Sequence, residues 1–366
     1  MNILLLGECS NLHWTLAQGL RQLGHNVTVA SDGSRWMDND RNINLKRTSY
    51  SKLDSIKFLY NIFSNLDRLK GYDIVQIKNP IFIDLKAAKN LWLYKFLKKH
   101  NKKVFLGAFA TDYYWIRTCL DGKSFRYSEF CIGNKQMQCA QAQHHINEWM
   151  GTEKEKINRE IAETCNGIIA CLYEYYVPYA QDYKEKLTFI PEPINTQEIK
   201  FVQRCENVDK VKFFIGLQKD RSQFKGTDIL YEMLQEVHSK YPDESLVSKA
   251  ESLPYNKYVN LMNNSDVLLD QLYSYTPGMN AFAAMAQGLV VVGGGEPEGY
   301  EILNEYENRP IINVLPDRED VYNKLENLIK NKNQIADLSR RSRMFVEKHH
   351  DYIKVAKQYL DFWEKQ

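Results

Sequence analysis

Two cations four residues apart, Arg221 and Lys225, follow the apolar run Val211–Gly216 in the stretch Leu217-Gln218-Lys219-Asp220-Arg221-Ser222-Gln223-Phe224-Lys225-Gly226. A loop leaving the C-terminal end of a parallel strand is where open α/β sheets take ligands. A pair of cations there suits a diphosphate, because each can stabilise one charge on the leaving group. The same residues also fit an ordinary solvated basic loop. A second stretch, Asp270 to Gly288, passes from a polar loop into a helix of small residues. Pro277 and Gly278 set the turn, and the first-turn N–H groups of Gly278, Met279 and Asn280 remain free to meet an anion. Ala281, Ala283, Ala284 and Ala286 let that helix lie close to a sheet. A third stretch, Gly293-Gly294-Gly295-Glu296-Pro297-Glu298, combines a backbone that can approach a ligand closely with two carboxylates.

Other chemistries are excluded by what is missing. With 48 Lys+Arg against 46 Asp+Glu the net charge is +2, too small for nucleic acid to be the main partner. The first strand is followed by Gly7-Glu8-Cys9-Ser10-Asn11-Leu12, which has one glycine and an acid where a pyrophosphate would approach. Asp32, after the second strand, carries little weight as a ribose ligand without the glycine fingerprint. No GxxxxGK[ST] occurs, which removes P-loop NTPases. Cys131, Cys139, His144 and His145 lack zinc-knuckle spacing, so no metal is expected. The odd count of 7 Cys, with no CxxC, fits a reducing compartment rather than a disulfide framework.

These loops need a scaffold, and the periodicity supplies one. The 366 residues predict two domains at roughly 150 residues each. Ile3–Leu6 reads as a first strand rather than a signal peptide, and Leu12, Leu16, Leu20 and Leu23 as a helix stopped by Gly24. Strands at Val27–Ala30, Asp73–Ile77, Val104–Ala108, Gly167–Ala170 and Leu187–Ile190 alternate with helices. Pro191-Glu192-Pro193 forces extended backbone and marks a linker. The alternation restarts at Val211. The expected fold is α/β, two doubly wound Rossmann-like parallel-sheet domains: residues 1–190, residues 191–345, and a helix at 346–366 packing back on the first domain. The span 119–156 shows no strand pattern and reads as a helical insertion or a loop. No run reaches the about 20 apolar residues a membrane span requires.

On these fragments the chain resembles a GT-B-fold glycosyltransferase of the large family-four-like group (glycosyl transferases group 1), whose two domains face each other across a cleft. His25-Asn26-Val27-Thr28-Val29 is similar to that family's opening G-H-x-V-x-V, and Tyr72-Asp73-Ile74-Val75 to its YDIV strand. Phe189-Ile190-Pro191-Glu192-Pro193 resembles its interdomain segment, Lys225-Gly226 its phosphate-loop KG, and Ala284-Met285-Ala286-Gln287-Gly288 its AMACG. The family also carries two donor-site Glu eight positions apart. Here those positions hold Tyr275 and Ala283, so both carboxylates are absent. Glu296 and Glu298 are the obvious substitutes, Glu298 resembling the acid of the family's GGxPE.

The resemblance implies transfer of a sugar from a nucleotide-diphosphate donor, bound by the second domain, to a saccharide or lipid-linked acceptor bound mainly by the first. Arg221, Lys225 and the backbone of Gly278, Met279 and Asn280 would hold the diphosphate, with no metal or other cofactor. Glu296, Glu298 and Tyr275 would meet the donor sugar or ribose. Glu8 and His13 lie on the acceptor side, and Asp112, His13 and Glu296 are the candidate catalytic groups. A cytoplasmic enzyme of bacterial surface polysaccharide synthesis is the expected setting. Lys86–Lys103, with seven Lys and no acid, reads either as a solvated helix face or as a peripheral contact with an anionic membrane. Two alternatives stay open: a non-catalytic nucleotide-sugar-binding relative, and a nucleotide-sugar epimerase or hydrolase.

Overall fold

The computed structural model describes residues 1–34, 37–206 and 208–366. Its first apolar run forms strand β1 (Asn2–Leu6), in which Ile3, Leu4, Leu5 and Leu6 are wholly buried. The chain continues through α1 (Leu12–Gln22), β2 (Asn26–Ser31), β3 (Ile43–Asn44), α2 (Lys52–Ser64), β4 (Ile74–Ile77), α3 (Ala87–His100) and β5 (Lys103–Ala108). Next come α4 (Tyr113–Cys119), β6 (Cys131–Ile132), β7 (Lys135–Gln136), α5 (Ala140–Trp149), α6 (Glu153–Thr164), β8 (Gly167–Ala170), α7 (Tyr173–Tyr183) and β9 (Leu187–Phe189). After the Pro-rich linker follow β10 (Val211–Leu217), α8 (Ser222–Lys225), α9 (Thr227–Lys240), β11 (Ser245–Glu251), α10 (Tyr255–Asn263) and β12 (Val267–Leu269). The last elements are α11 (Met279–Gln287), β13 (Val290–Gly293), α12 (Pro297–Glu301), β14 (Ile312–Asn313), α13 (Arg318–Lys330), α14 (Ile335–His349) and α15 (Tyr352–Lys365).

Two compact units result: Met1–Arg117 with Asn147–Pro193 and Tyr352–Gln366, and Thr118–Ile146 with Ile194–Asp351. In the first, a sheet of order β3-β2-β1-β4-β5-β8-β9 is parallel throughout, as helical crossovers require. Leu12, Leu16 and Leu20 of α1 pack with Ile3, Leu5, Val27 and Val29 and with Val355, Tyr359 and Trp363 of α15. The contact between α1 and α15 depends on Gly19, where a Cβ would stand 2.3 Å from the Tyr352 carbonyl oxygen. Trp363 Nε1 donates to the buried Gln76 side chain at 3.3 Å, and Lys103 Nζ donates to the Trp363 carbonyl at 3.0 Å.

The second unit is built on the parallel sheet β11-β10-β12-β13-β14. Adjacent residues of its strands serve opposite faces. Phe213 and Ile215 join Leu230, Leu234 and Val237 of α9, whereas Phe214, Leu268 and Val291 join Ala281, Phe282 and Met285 of α11. The segment Thr118–Ile146, read from sequence as a helical insertion or loop within residues 1–190, clusters with this unit and contains the β6–β7 hairpin. Its aromatic content explains the attachment: the rings of Phe130 and His145 lie 5.5 and 5.3 Å from that of Phe224, and Met137 packs on the core. Strands of two residues are too short to leave an apolar-run signal. Among the described residues, no helix is long and apolar enough to cross a membrane.

Candidate functional site

Three loops meet at the C-terminal ends of β10, β12 and β13 in the second unit. The first carries Arg221, which precedes α8, and Lys225, its last residue. Gly226 follows at φ 69, a left-handed conformation, and a Cβ there would stand 2.6 Å from Leu272 Cβ. Glycine at this point therefore lets the first loop lie against the second, and Leu272 N–H donates to the Lys225 carbonyl at 2.9 Å. Arg221 Nε is buried with no hydrogen-bond partner, and its guanidinium sits 5.9 Å from the Phe224 ring centre.

The second loop begins with Asp270, whose Oδ2 is buried and unpartnered. Burial pushes its carboxyl pKa up, and the charge of Lys225 and hydrogen bonds from Gln271 and the Gly278 N–H oppose that shift. At the loop's far end α11 starts after Gly278, with no acid in its first turn and no side-chain cap. The first bonds closing this helix run from the Ala281 and Phe282 N–H groups to the Gly278 carbonyl at 2.9 and 3.1 Å, so Met279 and Asn280 have N–H groups without intrahelical acceptors. A Cβ at Gly278 would meet open space, so the approach is unobstructed. The Asn280 amide donates to Tyr258 OH at 2.8 Å.

The third loop departs from the sequence reading. Added Cβ atoms at Gly293, Gly294 and Gly295 would stand 3.2 Å from the Gln271 carbonyl, 2.3 Å from the Ser274 carbonyl and 2.9 Å from Ile311, respectively. The glycine run thus accommodates the protein's own backbone. Glu296 and Glu298, the expected substitutes for the missing acids, are both engaged by Arg126. Arg126 Nη2 donates to Glu296 Oε2 at 2.7 Å and to Glu298 Oε2 at 3.1 Å, and Nη1 pairs with Glu298 Oε1. Tyr127 OH donates to Glu296 Oε1 at 2.6 Å. Tyr275 closes the group: its OH accepts from Arg126 N–H at 2.6 Å, its ring lies 4.9 Å beneath the guanidinium, and its carbonyl accepts from Glu296 N–H. Arg126 holds the Glu298 carboxyl below its usual range, and burial with the neighbouring Glu296 raises the Tyr127 phenol.

The remaining candidates lie in the first unit. Glu8 is buried, and its carboxylate accepts from the N–H groups of Cys9, His13 and Trp14 at 2.8, 3.0 and 3.0 Å. It therefore caps α1 itself. Burial nevertheless outweighs these bonds and the charge of Lys78, and the pKa rises to about 7. His13 is buried, Nδ1 donates to the Gly7 carbonyl at 2.7 Å, and Nε2 has no partner. Desolvation lowers its pKa to about 4, so the ring is neutral at pH 7. Asp112 has both oxygens committed, Oδ1 to Trp115 N–H at 2.9 Å and Oδ2 to Tyr179 OH at 2.6 Å, and burial raises its pKa to about 6.

Thus one group of candidates, Arg221, Lys225, Gly278, Met279 and Asn280, edges the three loops of the second unit, and another, Glu296, Glu298 and Tyr275, forms the clasp beside them. Glu8, His13 and Asp112 belong to the first unit. Sequence reasoning missed Asp270, although an acid directly after a strand end was a usable signal. It also missed Arg126 and Tyr127, which lie some 150 residues from Tyr275 along the chain and carry no local signature.

Residues 223–361 match the family model of glycosyl transferase-like proteins, a span that contains the second and third loops and Lys225. No curated protein matches the chain by sequence. Among solved structures, HepE of Anabaena in complex with UDP and glucose is similar over 100% of both chains at 11% identity, with a TM-score of 0.61. Sucrose-phosphate synthase of Thermosynechococcus elongatus is similar over 100% of this chain and 98% of its own at 14% identity and a TM-score of 0.64. WaaG, a glycosyltransferase involved in lipopolysaccharide biosynthesis, is similar over 99% of both chains at 12% identity and a TM-score of 0.56. The chain therefore has the fold of the GT-B glycosyltransferases. The glycosyl transferase-like match falls on residues 223–361, mostly in its second unit.

Proposed function

We propose that this chain is a glycosyltransferase that moves a sugar from a nucleotide-diphosphate donor to a saccharide or lipid-linked acceptor in surface polysaccharide synthesis. The features that support the proposal lie in the second unit: the loop cations Arg221 and Lys225, the latter close enough to act on Asp270, whose carboxyl accepts from the Gly278 N–H, and a start of α11 without a side-chain cap. In the reaction the acceptor oxygen bonds to the anomeric carbon while the bond to the diphosphate oxygen breaks, and the diphosphate leaves with the electron pair. The cations and the Met279 and Asn280 N–H groups stabilise that charge, with no metal required by the scheme. Uridine is the base we propose, because HepE has been solved with UDP and with UDP-glucose.

Acceptor contacts are assigned to the first unit, with Glu8 shaping its first loop and the unpartnered His13 Nε2, neutral at pH 7, as the group able to take the acceptor proton. Asp112 holds α4 rather than touching substrate in this scheme, and Glu296 and Glu298 position Arg126. A thermal-shift panel of UDP, GDP, ADP, CMP and dTDP sugars, followed by transfer assays, tests the proposal. Stabilisation by the UDP class and release of UDP that depends on an acceptor support it; no response to any donor contradicts it. A non-catalytic binding module is the second reading, favoured by Tyr275 and Ala283 at the acid positions and by the engagement of Glu296 and Glu298. It predicts binding without turnover.

A further inference from the structure

In the first unit the loop after β4 crosses the end of β1, and the crossing is shaped around a lysine. Leu6 and Ile77 pair in register, and Lys78 N–H donates to the Leu6 carbonyl at 3.1 Å. The Lys78 side chain then runs over Gly7, where a Cβ would stand 2.8 Å from Lys78 Cγ and Cδ and 2.6 Å from the Phe82 carbonyl oxygen. Gly7 also adopts φ 84, so the close approach and the left-handed backbone both require glycine there. At the end of this path the half-buried Lys78 donates from Nζ to the Glu8 carbonyl at 3.0 Å. Among the described residues that carbonyl is its one side-chain hydrogen-bond acceptor, although an ammonium has three N–H donors. The Glu8 carboxyl feels the charge of Lys78 but is committed to the N–H groups of Cys9, His13 and Trp14.

Two buried acceptors accompany this cation. His13 is 1% exposed and spends its Nδ1–H on the Gly7 carbonyl, so Nε2 is a lone pair, and it has no partner. Phe109, edge-on with its centre 5.8 Å away, fixes the ring, and the charge of Lys78 reaches it. Asn79, directly after Lys78, is 6% exposed, and its Oδ1 has no partner. A buried acceptor left without a donor costs free energy that a ligand hydroxyl recovers. The three groups therefore call for two chemistries: Lys78 for an anion, and His13 Nε2 and Asn79 Oδ1 for hydroxyl groups. A sugar that carries a carboxylate or a phosphate supplies both in one molecule. A neutral glycoside leaves the ammonium unmatched, and a simple anion leaves the two acceptors unmatched.

We infer that Lys78, Asn79 and His13 form a subsite for an acidic sugar, one bearing a carboxylate or a phosphate; that this sugar is the acceptor rests on the transferase reading. The test is a titration of the full chain with methyl glucuronide, glucose 6-phosphate and methyl glucoside, followed at the backbone amide resonances of Gly7, Lys78 and Asn79. Both acids should shift these amides saturably and bind about tenfold or more tightly than the neutral glycoside; the tighter of the two names the anion. Lys78→Gln should abolish that preference. Asn79→Asp, which keeps the side-chain shape and adds a negative charge, should weaken the acids more than the neutral glycoside. Circular dichroism matching the wild type separates lost binding from lost fold. An equal response to all three ligands, a response to none, or a preference that survives Lys78→Gln overturns the inference. Adding UDP to the same samples and reading Met279 and Asn280 tests the donor site separately: a response there with no acid preference at Lys78 defeats the subsite alone, and the reverse pattern defeats the donor reading alone.

Discussion

The two units solve the same local problem in opposite ways. Each has a loop at the C-terminal end of a parallel strand that opens onto a helix N-terminus, a place with spare N–H groups and a favourable field for an anion. In the first unit the chain supplies its own acceptor: the Glu8 carboxyl accepts from three N–H groups at the start of α1. In the second, α11 has no capping side chain and no acid in its first turn, and cations stand at the adjoining strand end. A doubly wound topology therefore does not by itself make a phosphate site. Whether the helix end is already satisfied decides it: Glu8 meets the start of α1, whereas the start of α11 has no side-chain cap, which supports the proposed donor position there.

The largest expected effect comes from removing the cations. Arg221→Ala/Lys225→Ala should lose roughly 3 kcal/mol or more of donor affinity, about a hundredfold or more in Kd by calorimetry, with the melting temperature of the free protein little changed. An unchanged Kd would mean that the two units do not differ in the way described.

Closing charge in the first unit predicts a pH signature of similar size. Because the folded pKa of Glu8 is raised from 4.5 to about 7, its contribution to stability is fullest below pH 4.5 and is lost as pH rises through 7. The stability of wild type minus that of Glu8→Gln should fall by about 3 kcal/mol between pH 4.5 and 8 in urea denaturation. His13 acts in the opposite sense, its contribution being present above pH 6.5 and lost as pH falls towards 4, so the wild type alone would hide the effect. A difference that is flat with pH would remove Glu8 as a titrating cap.

Smaller effects are expected at the clasp and at α11. Arg126→Ala should cost about 1–2 kcal/mol, discounted because the side chain is half exposed. Its loss should also erase the part of stability that Glu298 contributes above the usual carboxylate range and gives up as pH falls. Denaturation at neutral and acid pH checks both. Asn280→Asp makes the second helix resemble the first by placing a charge in its first turn. Donor affinity should drop about tenfold, near 1.4 kcal/mol, while stability holds or rises by a few tenths of a kcal/mol; unchanged affinity would separate α11 from the diphosphate.

Much of the scaffold was legible because the longer strands of both sheets left local apolar runs and the helices between them a 3.6-residue period. Leu12, Leu16 and Leu20 face β1 and β2 as that period requires. The basic pair and the α11 turn were legible for a similar reason, being contiguous in sequence and bound to strand ends. What stayed hidden is what depends on distant residues. Gly294 reads as a place for a ligand until Ser274 is seen against it. Glu296 and Glu298 read as free acids until Arg126 and Tyr127 arrive from a segment with no strand pattern. The cap formed by Glu8 was half visible: the acid stood out, but its three N–H donors could not be counted without the fold.

The most direct test is to titrate the protein with UDP while following backbone amide resonances. The account predicts the largest saturable shifts at Met279 and Asn280, with Lys225 and Gly226 next, and little change at Cys9, His13 and Trp14. Shifts centred on the start of α1, with the α11 amides unmoved, would contradict it.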